Sequence, residues 1–326
     1  MKAGRYLFGN IYLVTIAFII AITFIYCAGK DNRPGVADDQ KLTNPPDSNV
    51  LETYRKQTPF TNPGEFVYLY NNLPESTQAI CDLIKKQLIH PQDAREMRNI
   101  LPEGRAPEDG DMPIVSDMLR VLLQRDSAGL TMKRKAADRL IAACYHHALL
   151  LASILREKGY AVRLRAGFAR YYEKEVKVRF GHVICEVWDE KNMRWILVDP
   201  DRNLYNVSPE RFEFPALAWQ NFYGTNKRSI RYISSVGEGF QALIHALLLD
   251  QAFVISNERS YWHTPEFIFT TDFNLDSLEE GQIQAINDIA MFLSETDIQI
   301  NKLQELYDKN AFIQEEKRSI MEYYER

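Results

Sequence analysis

Between Cys144 and Asp199 the hydrophobic pattern changes period, and that change limits the folds open to the chain. Cys144 to Lys158 (CYHHALLLASILREK) is an apolar helical run closed by Gly159, a residue that readily ends helices in the left-handed conformation. From Val162 the period becomes two: Val162, Leu164, Ala166 and Phe168 alternate as a strand does. His182 to Trp188 and Trp195 to Asp199 read as two more strands, with Asp189-Glu190-Lys191-Asn192 as their turn. One helix feeding an antiparallel meander is therefore predicted. Helices flank it. Ile80, Leu83, Ile84 and Leu88 share one helix face stopped by Pro91, and Val115, Met118, Leu119 and Leu122 share another. Gly104 to Pro113 reads as a loop. Helices return after residue 275, where Ser277-x-x-Glu280 and Thr296-x-x-Gln299 have the form of capping boxes. Helices, meander, helices is an α+β layout, and there is no internal repeat.

In front of this body stands a different kind of segment. Lys2 and Arg5 precede an uncharged run from Tyr6 to Gly29, 24 residues long. A positive start followed by an apolar stretch is the pattern of a secretory signal or membrane anchor, and the length suffices to span a bilayer. Cys27 sits where a bacterial lipoprotein carries its lipidated cysteine, although Tyr26 stands where Gly, Ala or Ser is usual. A membrane anchor or lipoprotein is preferred to free secretion, and each places the remainder outside the cytoplasm, at the cell envelope. Residues 31–64 hold five of the fourteen prolines, with Asp, Asn and Thr between them, and read as a flexible linker. The expected organisation is a signal or anchor over 1–30, a linker over 31–64, and a folded domain over 65–326. With 39 basic against 44 acidic side chains, a net charge of −5, the chain has no cationic excess for phosphates, so nucleic acid is not expected as a partner. Four cysteines in 326 residues are too few for a disulfide scaffold.

Several functional patterns fail. Gly237-Glu238-Gly239 lacks the third glycine and the long preceding strand of a dinucleotide fingerprint, and there is no P-loop or H-E-x-x-H. Cys144, His146 and His147 have no second cluster to complete a four-ligand metal site. On a helix the two histidines point apart, so one packed and one solvated histidine is expected. One constellation remains. Cys144 opens the helix, His182 begins a strand 38 residues later, and Asp199 ends the next strand after 17 more. A thiol nucleophile needs a base, and the base needs an acceptor to fix its tautomer and orientation. Adjacent antiparallel strands bring such a histidine and aspartate together. Spacing alone is also compatible with a buried structural cysteine.

The residues around these three positions carry a resemblance. Cys144-Tyr-His-His-Ala-Leu-Leu-Leu-Ala-Ser-Ile-Leu-Arg-Glu-Lys-Gly159, continuing through Arg163 to Gly167-Phe168, is similar to the core of the transglutaminase-like superfamily. The second block, His182-Val-Ile-Cys-Glu186-Val-Trp followed by Arg194-Trp195-Ile-Leu-Val-Asp199-Pro200, resembles that family's H-x-W-x-E and W-x-x-x-D-P segments. The likeness covers about 138 to 203 and is weaker in the helices up to about 310. It implies a papain-like core, a central helix packed on an antiparallel sheet, with additional N- and C-terminal helices. It implies Cys144 as nucleophile, His182 as general base and acid, and Asp199 as the group orienting His182. The chemistry would be acyl transfer or hydrolysis on a protein, peptide or cell-wall amide, and it requires no cofactor or metal.

The sequence also departs from that pattern. Ala142 and Ala143 precede the cysteine where relatives place Gly or Gly-Asn, and Arg139 to Cys144 contains no helix breaker. A helix running through Cys144 would leave a non-catalytic envelope binding module as the alternative function. An arylamine acetyltransferase uses a similar triad, but its R-G-G-x-C is absent. Arg163 and Arg165 read as solvated or salt-bridged, Glu186 as structurally paired, and Cys185 and Trp195 as packing.

Overall fold

The computed structural model describes residues 46–317, apart from 109, 111, 173–176, 226–229, 262, 270–272 and 315. The segment 1–30 with Cys27, and the part of the linker up to residue 45, lie outside the described residues. Among the described residues no helix is long and apolar enough to cross a membrane.

Residues 46–64 correct the linker expectation. Helix α1 (Ser48–Arg55) starts from Asp47, whose carboxylate accepts from the Asn49 N–H. It buries Leu51 and Tyr54 beside Ala161 and Trp188, and the Tyr54 hydroxyl donates to the Val254 carbonyl at 2.7 Å. These long-range contacts offset an ordering entropy that local composition cannot.

Helix α2 (Thr77–Gln87), capped by Ser76, runs into the two-residue strand β1 (Leu88–Ile89), and α3 (Pro91–Glu96) and α4 (Val115–Arg125) follow. Strand β2 (Leu140–Ile141) pairs with β1 in parallel and leads into α5 (Cys144–Glu157). Gly159 (φ +85°) ends that helix in the left-handed region, as its residue type predicts. The meander is β3 (Val162–Ala169), β4 (Val178–Asp189), β5 (Arg194–Asp199) and β6 (Leu204–Val207), each antiparallel to the next. Strand β7 (Phe212–Glu213) closes on the other edge of β3. After α6 (Pro215–Thr225), β8 (Arg231–Ser234) pairs parallel to β4, and β9 (Gly237–Glu238) pairs with β8.

The remaining elements are α7 (Phe240–Val254), β10 (Thr264–Pro265), α8 (Glu280–Ser294), α9 (Ile300–Lys309), α10 (Ala311–Gln314) and β11 (Glu316–Lys317). The capping boxes near this end are Asn274/Ser277 and Glu279/Gln282 rather than the predicted pairs, so α8 starts at Glu280.

The α+β expectation holds. Central helix α5 contributes Ala148, Leu151, Ala152 and Leu155 to one apolar core with Leu164, Val183, Cys185 and Val187 of the sheet. The strands are covered on their other face too, since every residue of β3 is buried. That face carries an ionic layer. Glu186 Oε2 accepts from Arg163 (2.6 Å) and Arg165 (2.8 Å), and Arg165 also reaches Asp250 of α7 at 2.8 Å. Arg163 stacks over Trp195 at 4.4 Å. The arginines are thus salt-bridged and buried, not solvated. Helices α6 to α9 share a second apolar core containing Trp219, Leu247, Ile289 and Leu303.

Candidate active site

The site is built around the first residue of α5. The local sequence Arg139 to Cys144 favours helix, yet Leu140 and Ile141 are drawn into pairing with β1, and the Ala142 N–H donates to the Ile89 carbonyl at 3.0 Å. Ala143 is therefore extended (φ −77°, ψ −179°) and the helix begins at Cys144. Strand pairing overrides helix propensity here. In consequence the Cys144 thiol sits at a helix N-terminus, where the first N–H groups have no intrahelical acceptor and the dipole favours negative charge.

His182 lies on β4 opposite Gly167 of β3. A side chain at Gly167 would lie 2.7 Å from the Phe212 ring and 2.8 Å from the Glu213 carbonyl, so glycine allows β7 to close against this point. His182 Nε2 donates to Asp199 Oδ2 at 2.8 Å. A carboxylate cannot donate, so Nε2 carries the proton in the neutral ring and Nδ1 is the nitrogen able to take up a second one. Burial alone lowers the His182 pKa, but the charges of Asp199 and Cys144 and the hydrogen bond to Asp199 hold it well above the ordinary imidazole value. Asp199 is fully buried and also accepts from the Tyr171 hydroxyl (2.5 Å) and the Arg202 N–H (3.0 Å). Burial raises its pKa, and the charge and hydrogen bond of His182 outweigh that, keeping it below the usual carboxylate value.

Cys144 (9% exposed) and His182 (5%) line a cleft of about 590 Å³, with Asp199 sealed behind them. Its walls are mainly small or apolar, among them Pro91, Ala143, Ala166 and Leu249, with Arg95 and His245 as polar members. The structure thus brings the three predicted residues together; Cys27 lies outside the described residues. Glu186 is structurally paired as expected, and Cys185 points to α5, its thiol donating to the Ala148 carbonyl at 3.3 Å. Cys81, Cys144 and Cys185 are all unpaired.

Other residues at the site escaped the sequence reading. The rings of Tyr171 and Tyr172 stand edge-on to His182, 6.0 and 5.2 Å between centroids. Behind them is a second buried carboxylate, Asp201, facing His147 Nε2 (3.7 Å), Lys85 Nζ (3.6 Å), Arg202 Nε (3.6 Å) and His90 Nε2 (4.0 Å). The signal available was the doubled acid of Asp199-Pro200-Asp201 and the doubled aromatic of Tyr171-Tyr172. The expectation of one solvated histidine is also corrected. His146 and His147 are both fully buried, because α5 is covered on all sides. His146 Nε2 lies 3.2 Å from the Met112 carbonyl, and His147 Nδ1 lies 3.1 Å from that of Ala143.

Ligand-type atoms of His182, Asp199 and Asp201 lie within 4.8 Å of one another. Of the three, His182 and Asp199 are joined by a hydrogen bond, and Asp201 stands beside them without one to either.

Residues 125–200 match the family model of the transglutaminase-like superfamily, a family of cysteine-based acyltransferases and hydrolases. That interval contains Cys144, His182 and Asp199. No curated protein and no solved structure matches the chain.

Proposed function

We propose that the protein is a cysteine-dependent enzyme acting on amides, with Cys144 as nucleophile, His182 as general base and acid, and Asp199 as the residue that orients His182. One observation carries the reading: a thiol at the first position of α5 lines the same cleft as a histidine whose Nε2 is tied to a buried aspartate. A packing cysteine needs none of this arrangement.

The steps follow from the geometry. The Cys144 proton passes to His182, and the thiolate sulfur attacks the amide carbonyl carbon. The carbonyl oxygen takes up the negative charge beside the N–H groups that open α5. As the C–N bond breaks, His182 returns the proton to the leaving nitrogen, which departs as amine or ammonia and leaves a thioester on Cys144. An incoming amine or water then loses a proton to His182 and attacks the thioester, regenerating the thiol. Amine gives transamidation and water gives hydrolysis. The substrate class is a protein, peptide or cell-wall amide. Residues 1–30 would carry the enzyme to the envelope as an anchor, or as a lipoprotein through Cys27.

The test is thiol reactivity. Cys144 is expected to react with iodoacetamide at neutral pH at least tenfold faster than Cys81 or Cys185, and His182→Gln is expected to abolish the difference. Burial raises the pKa of Cys81 to about 12 and pushes that of Cys185 well up, so neither competes. Equal rates at the three thiols would leave a non-catalytic binding module as the better reading.

A further inference from the structure

Asp201 is a costly residue to keep. It is fully buried, and its Oδ1 accepts no hydrogen bond. Oδ2 has only a long contact with the Tyr172 hydroxyl, at 3.5 Å. Its cationic neighbours Lys85 and Arg202 stop at 3.6 Å, short of hydrogen bonds. His147 does not neutralise it. The His147 Nδ1–H is spent on the Ala143 carbonyl, so in the neutral ring a bare nitrogen faces Oδ1. Burial, partly opposed by the charge of Asp201, lowers the His147 pKa to about 4, so the ring is neutral near pH 7. An under-bonded buried carboxylate is expensive to keep, and Lys85 and Arg202 at 3.6 Å compensate it by charge alone. Packing or hydrogen bonding alone would be served better by asparagine, so the charge itself is the feature to explain.

The member of the proposed triad within reach of that charge is His182, with ligand-type atoms of His182, Asp199 and Asp201 all within 4.8 Å. We propose that Asp201 is a positioning residue for the chemistry described above: its fixed charge holds His182 in the imidazolium form that pairs with the Cys144 thiolate. This inference rests on the proposed function. Asp199 supplies the hydrogen bond and fixes the ring, while Asp201 adds charge without a bond. The other titratable groups facing the ring are Cys144 of α5, Tyr171 and Tyr172 after β3, and His90 after β1. Burial and Asp199 raise the Tyr171 pKa, and burial with Asp201 and Asp199 raises that of Tyr172, so both hydroxyls stay neutral. Lys85 faces Asp201, is ion-paired to Asp93 as well, and subtracts from the Asp201 field.

The experiment is an NMR titration of the full chain labelled at histidine Cε1, with the His182 signal assigned by its loss in His182→Gln. Asp201→Asn is expected to move the His182 midpoint down by about one pH unit, a tenfold change in its proton affinity. Lys85→Met is expected to move it up, because a partly exposed positive charge is removed. Merely structural roles would not produce opposite shifts. If Asp201→Asn does not fold, Lys85→Met alone decides. An unmoved midpoint in either folded variant overturns the inference. Cys144→Ala separates this from the functional reading: removing the thiolate is expected to lower the midpoint. If Cys144→Ala leaves it unmoved, the thiolate–imidazolium pair and the function built on it fail. If only the charge variants leave it unmoved, Asp201 alone is dismissed.

Discussion

The carboxylate of Asp199 concentrates the site's electrostatics on a few atoms. Three donors converge on it, from His182, Tyr171 and the Arg202 backbone. A carboxylate removed from water is tolerable only when its lone pairs are so used, and removing one partner of a buried pair typically costs about 3–5 kcal/mol. The sign of its pH dependence follows from the two directions of shift. His182 is raised on folding, so its contribution is complete below the unfolded value near 6.5 and is lost as pH rises through the folded value. Asp199 is lowered, so its contribution is present above about pH 4 and lost as pH falls through the folded value. Both shifts describe one interaction and count once. Asp199→Asn is therefore expected to lose about 3–5 kcal/mol at pH 6 by urea unfolding, and progressively less above pH 6.5. A penalty equally large at pH 6 and pH 9.5 would mean that the aspartate serves shape rather than charge.

At the scale of elements, the start of α5 decides what Cys144 can do. Ala143 provides no side-chain cap, although its extended backbone is what a capping serine would adopt. An uncapped N-terminus has no side chain competing with a substrate oxyanion for its first N–H groups. Ala143→Ser is expected to stabilise the protein by about 0.5–2 kcal/mol in urea unfolding and to slow iodoacetamide capture at Cys144, because the new hydroxyl occupies the same N–H groups. Greater stability with undiminished reactivity would show that those groups do not serve the thiolate. This start was the part of the site least legible in the sequence. The body of α5, its stop at Gly159 and the strands at Val162, His182 and Trp195 were readable because each pattern is local. The start depends on Ile89 accepting from Ala142, 53 residues along the chain. The predicted boxes at Ser277 and Thr296 failed for a related reason. Residue types permit a cap at several positions, and packing of the helix selects one.

Across the whole molecule, what the sequence hid lies mostly in contacts between distant segments. Asp201 and Tyr171 were marked only by a doubled acid and a doubled aromatic, since neither falls in the two recognised blocks and burial of a charged side chain has no local signature. The same holds for residues 46–64, where prolines and polar residues suggested a tether. There Thr61 accepts from Arg156 at 3.1 Å, Thr58 donates to Glu258, and Arg156 pairs with Glu258 at 2.5 Å. Leu51 and Tyr54 add apolar burial on the outer side of the sheet. Burying two such side chains is worth about 1.5–3 kcal/mol each. Leaving the Val254 carbonyl and Glu258 short of donors costs about 1–3 kcal/mol each. The total rivals the net stability of about 5–15 kcal/mol typical of a domain. A chain beginning at residue 46 is therefore expected to unfold in urea like the longer protein. One beginning at residue 65, the boundary that composition suggests, should show a much lower midpoint or fail to fold. If the two truncations unfold at the same urea concentration, residues 46–64 are an ornament on a domain complete without them.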